Sequence, residues 1–206
     1  MKRHRRAFGV FGCVLAALVA GAAFTASVSA SPAWYFDGEE LEGEETVSNS
    51  APRSYFSIPG LTTWCETFPL GMDIRNVSKA GEGDVTELPL GPCFTSSPAC
   101  TVESFEAASL PWPAVLKTIS TVPYLIMEGI RLEILYGGPE CALNEVLVEV
   151  KGTAGGRFES ESTFFSGATF KITGTKLTAL GGSLEWSGAL TLRATGPLQG
   201  QVLTVQ

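Results

Sequence analysis

The sequence has only one histidine, His4, and it lies in a segment with the features of an export signal. A cationic start, an apolar run over residues 7–24 and a small-residue end follow one another, which is the layout of a secretory signal peptide. We predict that residues 1–30 form this signal and that cleavage falls between Ala30 and Ser31. The mature chain would then lack imidazole, which excludes Ser-His-Asp and Cys-His nucleophiles and histidine-bearing zinc sites.

Two alternatives concern the same segment. The apolar run of 18 residues is at the lower limit for crossing a bilayer, so an uncleaved anchor is the alternative to cleavage. The pair Arg5-Arg6 partly resembles a twin-arginine export signal, although Gly9 interrupts the apolar run, and the general secretory route is favoured. With cleavage, the protein meets the membrane only transiently, through the signal peptide.

Positive charge is scarce in this chain. Lys and Arg number 14 against 21 Asp and Glu, a net charge of −7. Cleavage after Ala30 would remove four of the cations and leave 10, so that the net charge of the mature chain would be −11. Nucleic acids and anionic membrane surfaces both require a basic patch, so neither is expected as a partner. The expected partner is an unknown extracellular ligand or a component of the cell envelope.

A sustained helical period is also missing after residue 31. Instead, 20 of the 23 glycines and all 12 prolines lie in this part of the chain and separate short runs in which apolar and polar residues alternate. We therefore predict an all-β fold, an antiparallel β-sandwich or barrel of roughly ten to thirteen short strands, stapled by disulfides. Residues 31–206 are expected to form a single β domain, with a division into half-domains near residue 110 as the alternative.

The clearest strand runs from Leu184 to Ala194, where apolar residues alternate with polar ones. Gly188 falls on its apolar face and predicts a bulge or a close approach of another backbone. The dipeptide Gly181-Gly182 before this strand predicts a two-residue hairpin turn, and so does Asp37-Gly38 near the start of the mature chain.

Four cysteines remain after the signal, an even number that suits an exported protein with two disulfides. They are Cys65, Cys93, Cys100 and Cys141. Three pairings are possible, and we favour Cys93–Cys100, which would close a short turn rich in Ser and Pro, together with Cys65–Cys141. A four-cysteine zinc site is disfavoured because the paired short spacings that it needs are not present.

Several short motifs are spread over most of the mature chain. They are Trp34-Tyr35 before a turn dipeptide, Cys65 upstream of Gly71-x-x-Ile74-x-Asn76, the pair Cys93 and Cys100, and Leu110-Pro111-Trp112-Pro113. This set resembles a pattern in uncharacterised secreted bacterial β-rich proteins. The resemblance implies an exported β protein, and it implies no activity, ligand or site.

Carboxylates form the densest charged segment, with six in the nine residues 37–45. A calcium site would use such oxygen ligands, but the spacing does not match a calcium-binding loop. A solvated edge strand is the favoured interpretation, because charge on an edge discourages association between sheets. We assign no metal ligand and no cofactor.

Carboxylates are also the only remaining basis for catalysis, as in glycoside hydrolysis. Glu145 with Glu149, and Glu159 with Glu161, would each lie on one strand face, a pattern that any polar strand face also produces. No hydrolase motif surrounds them, so no catalytic residue is assigned and an enzyme is not the favoured interpretation.

Four tryptophans raise the hypothesis of a carbohydrate-binding module, since flat aromatic faces stack on sugars. They are Trp34, Trp64, Trp112 and Trp186. Core packing is favoured for most of them, Trp64 is expected to pack against a disulfide, and Trp112 between two prolines is the best candidate for exposure. The sequence thus predicts a secreted or envelope-associated β protein that binds or builds, with a carboxylate-based polysaccharide hydrolase or a carbohydrate-binding module as alternatives.

Overall fold

A computed structural model describes residues 31–49, 53–162 and 167–206. The predicted signal peptide, which ends at Ala30, lies outside these residues. The described residues form fifteen β-strands, and the predicted all-β class is confirmed. The described part of the chain contains no helix that is long and apolar enough to span a membrane. The strands are β1 (Trp34–Phe36), β2 (Glu39–Glu40), β3 (Glu44–Asn49), β4 (Ser54–Ile58), β5 (Leu61–Cys65), β6 (Gly71–Val77), β7 (Ala80–Glu87), β8 (Cys93–Thr95), β9 (Thr101–Ala107), β10 (Trp112–Ile119), β11 (Val122–Gly137), β12 (Leu147–Ser162), β13 (Gly167–Ala179), β14 (Gly182–Ala194) and β15 (Leu203–Val205).

Eight strands close into an antiparallel barrel. Its order is β3-β6-β7-β10-β11-β12-β13-β14, and the ladder between β14 and β3 completes the ring. Closure pairs every strand of the ring on both sides, so the barrel has no exposed sheet edge along these ladders. Its interior is filled by alternating apolar side chains such as Met72, Ile74 and Leu190, which are fully buried.

The strands β11 to β14 are 13 to 16 residues long and extend beyond the barrel. Their extensions carry further strands at both sides: β9 pairs with the end of β11, and β4 pairs with the start of β14. Beyond β4 follow β5 and then β8. We call these extensions, with β4, β5, β8 and β9, the disulfide lobe. The long strands differ from the short ones that the sequence predicted, because each serves two neighbouring structures.

Glycines mark the places where a long strand changes its partner. In β11, Gly129 has a φ of 67° and interrupts the ladder with β12. On the other side of β11, the ladder with β10 ends just before this glycine and the ladder with β9 begins just after it. In β14, Gly188 lies where the pairing with β4 ends, and a Cβ there would lie 3.2 Å from Ser54 Oγ and 3.3 Å from the carbonyl oxygen of Arg53. The close approach predicted at Gly188 is therefore confirmed.

A small sheet of order β15-β1-β2 joins the two ends of the described chain; we call it the cap sheet. Trp34 in β1 is fully buried, and its Nε1 donates a hydrogen bond to the carbonyl oxygen of Glu82 in the barrel. Its ring meets that of Phe170 in β13 edge to face at 6.0 Å. Asn76 of β6 completes the attachment, since its side chain accepts from Trp34 N and donates to Trp34 O.

Of the two predicted hairpin turns, one lies where it was predicted and the other is displaced by one residue. The turn at Asp37-Gly38 is confirmed, because Phe36 pairs directly with Glu39. The second turn is one residue earlier than predicted: Leu180 and Gly181 occupy it with φ values of 51° and 76°, and the next residue already belongs to β14. A two-residue turn of this kind needs positive φ at both positions, which the first glycine provides together with Leu180.

Strands from both sides of residue 110 are interleaved. The barrel takes β3, β6 and β7 from before this point and β10 from after it, and the disulfide lobe combines β4, β5, β8 and β9 with the long strands. The Pro111 region enters β10 directly, since Trp112 pairs with Val85 of β7. The division of the chain into domains stays a prediction.

The four predicted disulfide cysteines do form two disulfides, but the favoured pairing is wrong. Cys65 bonds to Cys93 and Cys100 bonds to Cys141. The reason is register: β8 pairs with β5 so that Cys93 lies directly opposite Cys65. The turn between β8 and β9 needs no bridge of its own, because Thr95 Oγ1 donates to the carbonyl oxygen of Cys100 at 2.8 Å. Two disulfides indicate an oxidising environment.

Candidate functional site

Three aromatic side chains stand in one line across the outer face of the disulfide lobe. Tyr55 of β4 lies opposite Trp64 of β5, and Trp64 lies opposite Phe94 of β8. Neighbouring strands are about 4.8 Å apart, so the three residues form a line about 10 Å long. We call Tyr55, Trp64 and Phe94 the aromatic row.

The aromatic row is open to solvent. Tyr55 is 37% exposed and Phe94 is 44% exposed, and Trp64 between them is half-buried. The ring centroids of Trp64 and Phe94 are 6.0 Å apart with their planes within 29° of each other. Aromatic faces in full overlap would be closer than this, at carbon–carbon contact distances of about 3.5–4.0 Å. The two rings are therefore offset rather than in full overlap.

Two charged side chains border the aromatic row. Arg53 and Glu66 line the same shallow groove, whose volume is about 440 Å³. The guanidinium offers several donors in one plane and the carboxylate offers acceptors only. The groove thus combines an apolar aromatic floor with one donor group and one acceptor group at its rim, a usual composition for a ligand site.

The wall that carries the aromatic row is held rigidly from the inside. Cys65 and Cys93, which follow and precede row residues in the chain, point inward and cross-link β5 to β8. Next to them, the hydroxyls of Thr63 and Tyr136 share a buried hydrogen bond of 2.7 Å that ties β5 to β11. Burial raises the pKa of Tyr136, and the hydrogen bond with Thr63 opposes part of that effect. A rigid wall presents the aromatic side chains without a large ordering cost on binding.

The structure reverses the two expectations for Trp112 and Trp64. Trp34, Trp112 and Trp186 are 0%, 1% and 2% exposed, so core packing holds for these three. Trp112 is wrong as a candidate for exposure: it faces the barrel interior, and its Nε1 donates to the carbonyl oxygen of Ala108 at 2.9 Å. Trp64 faces outward, away from the disulfide, because successive residues of a strand point to opposite faces. That alternation was the available signal: with Cys65 buried, Trp64 had to face outward.

The first predicted carboxylate pair does not assemble as a catalytic pair. Glu145 lies in the turn before β12 with a φ of 59°, so it does not share a strand face with Glu149. Glu149 is bound by Lys151 Nζ at 2.5 Å and by Arg131 Nε at 2.6 Å. The hydrogen bond from Lys151 and the nearby positive charges lower the pKa of Glu149. A general acid requires the opposite shift.

The second predicted pair, Glu159 with Glu161, falls partly outside the described residues. Glu159 is exposed on β12, and the side chain of Glu161 lies outside the described residues.

The acidic segment 37–45 is divided among different structural roles. Glu39 and Glu40 form β2, the exposed edge of the cap sheet. Asp37 Oδ1 accepts a hydrogen bond from Val202 N at 2.9 Å, and the buried Glu45 accepts one from Leu198 N at 3.4 Å. Among residues 31–49, 53–162 and 167–206, no three potential ligand side chains come together as a metal site would require.

Comparisons of this chain with protein-family models, with curated proteins and with solved structures found no match. The candidate site therefore rests on its own geometry, and the aromatic row is the feature with the clearest binding chemistry.

Proposed function

We propose that this chain is an extracellular binding protein that holds carbohydrate on the aromatic row. The observation that carries the proposal is the register that places three outward-facing aromatic side chains side by side. One face of a pyranose ring consists largely of C–H groups, and such a face packs well against a flat aromatic ring, much as apolar surfaces do. Hydroxyl groups at the edge of the sugar would find the donors of Arg53 and the acceptors of Glu66.

The length of the aromatic row supports a polysaccharide segment as the ligand. Two strand spacings give about 10 Å, which suits two linked hexose units lying across the strands. A single sugar would cover only one ring and leave the rest of the row in water. We therefore expect oligosaccharides to bind more tightly than their monosaccharides.

The charged residues of the groove favour binding over hydrolysis. Glycoside hydrolysis commonly needs two carboxyl groups at about 5–10 Å across the scissile bond. Among the described residues that line the groove, Glu66 is the single carboxylate. The ion-paired Glu149 lies on β12, which is not a strand of the aromatic face.

A glycan array probed with the oxidised, exported protein tests this proposal, followed by calorimetric titration of a panel of hexasaccharides built from glucose, N-acetylglucosamine or mannose. We expect at least one class to bind, and we expect Trp64→Ala to weaken binding about ten-fold or more, a loss of about 1.4 kcal/mol. Tyr55→Ala should also weaken binding, and Tyr35→Ala is its matched control: Tyr35 is half-buried in the cap sheet, and its loss should leave binding unchanged.

Two outcomes contradict the proposal. One is a panel in which no glycan binds, and the other is Trp64→Ala binding the array ligand as tightly as the natural protein. Release of reducing ends from the same polysaccharides would instead favour the hydrolase alternative.

A further inference from the structure

One edge of β9 lacks a strand partner among the described residues. Its other edge pairs with β11, and Ala108 N donates to Arg131 O at 2.8 Å just beyond the strand. In an antiparallel ladder, alternate residues direct both backbone groups to the same neighbour. Phe105 and Ala107 therefore direct their N–H and C=O groups away from β11, towards the open edge.

A groove of about 470 Å³ runs along this edge, on a different part of the disulfide lobe from the aromatic row. Its apolar lining comes from the segment after β7 and from β9 with the residues that follow. The members are Leu88, Pro89, Leu90, Phe105, Ala107 and Leu110. A free strand edge beside an apolar groove has the form of a site for strand addition, in which backbone hydrogen bonds hold the peptide and the groove accepts alternate side chains.

The charge around this groove is negative. Glu87 and Glu106 line it, and Glu103 is exposed on the same strand. A second copy of this chain would bring the same carboxylates against each other, and the whole chain already carries a net charge of −7. Like charges brought together across an interface disfavour it. The complementary occupant is therefore a basic peptide.

We propose that β9 binds an extended partner peptide in which basic residues alternate with apolar ones, added to the sheet as a further strand. The backbone of the peptide would bond to Phe105 and Ala107. Its apolar side chains would enter the groove beside Leu88, and its basic side chains would reach Glu87 and Glu106. This proposal is independent of carbohydrate binding, since it uses none of the residues of the aromatic row.

The test uses a fluorescein-labelled heptapeptide of alternating lysine and valine, titrated with the full oxidised protein and followed by fluorescence anisotropy at low ionic strength. Two modified peptides provide matched controls. One carries a methyl group on the backbone nitrogen of each valine, and the other carries it on the backbone nitrogen of each lysine. Each modification removes the N–H donors of one strand edge only. We expect saturable binding of the parent peptide and an affinity difference of about ten-fold or more between the two modified peptides.

A basic peptide could also be attracted to any acidic surface, and a pair of isocharged variants separates the two cases. Glu87→Gln with Glu106→Gln should weaken binding about five-fold or more, as expected for loss of charge-assisted contacts. Glu39→Gln with Glu40→Gln, on the exposed edge of the cap sheet, changes the net charge equally and should leave affinity unchanged.

Three results would overturn the proposal. They are failure of the parent peptide to bind, equal affinity for the two N-methylated peptides, and an equal effect of the two double substitutions. In the first case the carboxylates beside β9 serve only to protect an open edge against self-association.

Discussion

The barrel and the disulfide lobe share four strands, yet they are stabilised in different ways. The barrel closes through an unbroken ring of ladders, and the cap sheet with Trp34 packs against it. The lobe does not close: β8 and β9 each have one edge without a ladder among the described residues. Both disulfides lie in the lobe. Cys65–Cys93 joins β5 to β8, and Cys100–Cys141 joins the chain next to β9 to the chain after β11, so the cross-links reinforce ladders that the open lobe already has.

The open region is also the one with binding features. The aromatic row and the groove beside β9 both belong to the disulfide lobe, whereas large side chains of the barrel such as Met72 and Leu190 are buried in its core. A closed barrel has few backbone groups to offer a partner, while an open sheet offers both a flat face and a free edge. We infer that the barrel supports the lobe and that the lobe makes the contacts.

The largest expected effect comes from breaking the attachment of the cap sheet to the barrel. Trp34→Ala removes a fully buried indole and should cost about 3–5 kcal/mol of the free energy of unfolding. Guanidinium denaturation measures this loss. Ile119→Ala, at a side chain that is 47% exposed, is the control and should change stability by about 0.5 kcal/mol or less. A loss of similar size in both variants would contradict the account.

The next effect should be confined to the disulfide lobe. The bridge between Cys65 and Cys93 spans 28 residues, and a loop of that length corresponds to about 3.5 kcal/mol in the chain-entropy model. Replacing both cysteines by serine should increase amide hydrogen exchange in β4, β5 and β8, while β6 and β7 of the barrel stay protected. If exchange in β6 and β7 rises equally, the two regions unfold as one unit and the comparison fails.

A smaller effect is expected at the buried hydrogen bond inside the lobe. Tyr136→Phe removes the hydroxyl that bonds to Thr63 Oγ1 and should cost about 1 kcal/mol at neutral pH. Because burial raises the pKa of Tyr136, its hydroxyl ionises more readily in the unfolded chain. The contribution of Tyr136 to the free energy of unfolding is therefore fully present below the pKa of the unfolded chain. It declines as the pH rises through the pKa of the folded protein.

Urea denaturation from about pH 8 to about pH 10.5 measures this dependence, since the unfolded pKa of tyrosine is about 10. The difference in stability between the natural protein and Tyr136→Phe should narrow with rising pH. A constant difference over that range would show that Tyr136 titrates alike in both states.

The smallest effect is expected at the outer face of β12. The pKa of Glu149 is lowered by Lys151 and Arg131, so its contribution to stability is present above the unfolded pKa. That contribution is lost as the pH falls through the folded pKa. When the pH is lowered from neutral to acidic, the melting temperature of Glu149→Gln should therefore fall less than that of the natural protein. An identical acid dependence in both proteins would contradict the assigned ion pairs.

Local patterns predicted the local features of this fold. The alternation along β14 identified its buried face, and Gly188 marked the close approach of another chain segment. The disulfide pairing failed because it depends on register between β5 and β8, which lie far apart in the sequence. No local pattern shows which distant strands become neighbours.

Part of the candidate site could be predicted from the sequence. Trp64 was one of four tryptophans that raised the carbohydrate hypothesis, but it was expected to pack against a disulfide. Tyr55 and Phe94 join Trp64 only through the pairing of three strands. Proline flanks made Trp112 look exposed, whereas the start of β10 pairs with β7 and turns this side chain into the barrel. The composition suggests that aromatic side chains bind a ligand. The register between distant strands decides which aromatic residues form the site.

Acrylamide quenching of tryptophan fluorescence, with and without the best-binding oligosaccharide, is the most direct test of the central claim. Three tryptophans are buried, so Trp64 should account for the quenchable emission. The account predicts that the bound oligosaccharide shields this emission and that Trp64→Phe has almost none to shield. Oligosaccharide binding that leaves quenching of the natural protein unchanged would show that the aromatic row is not the carbohydrate site.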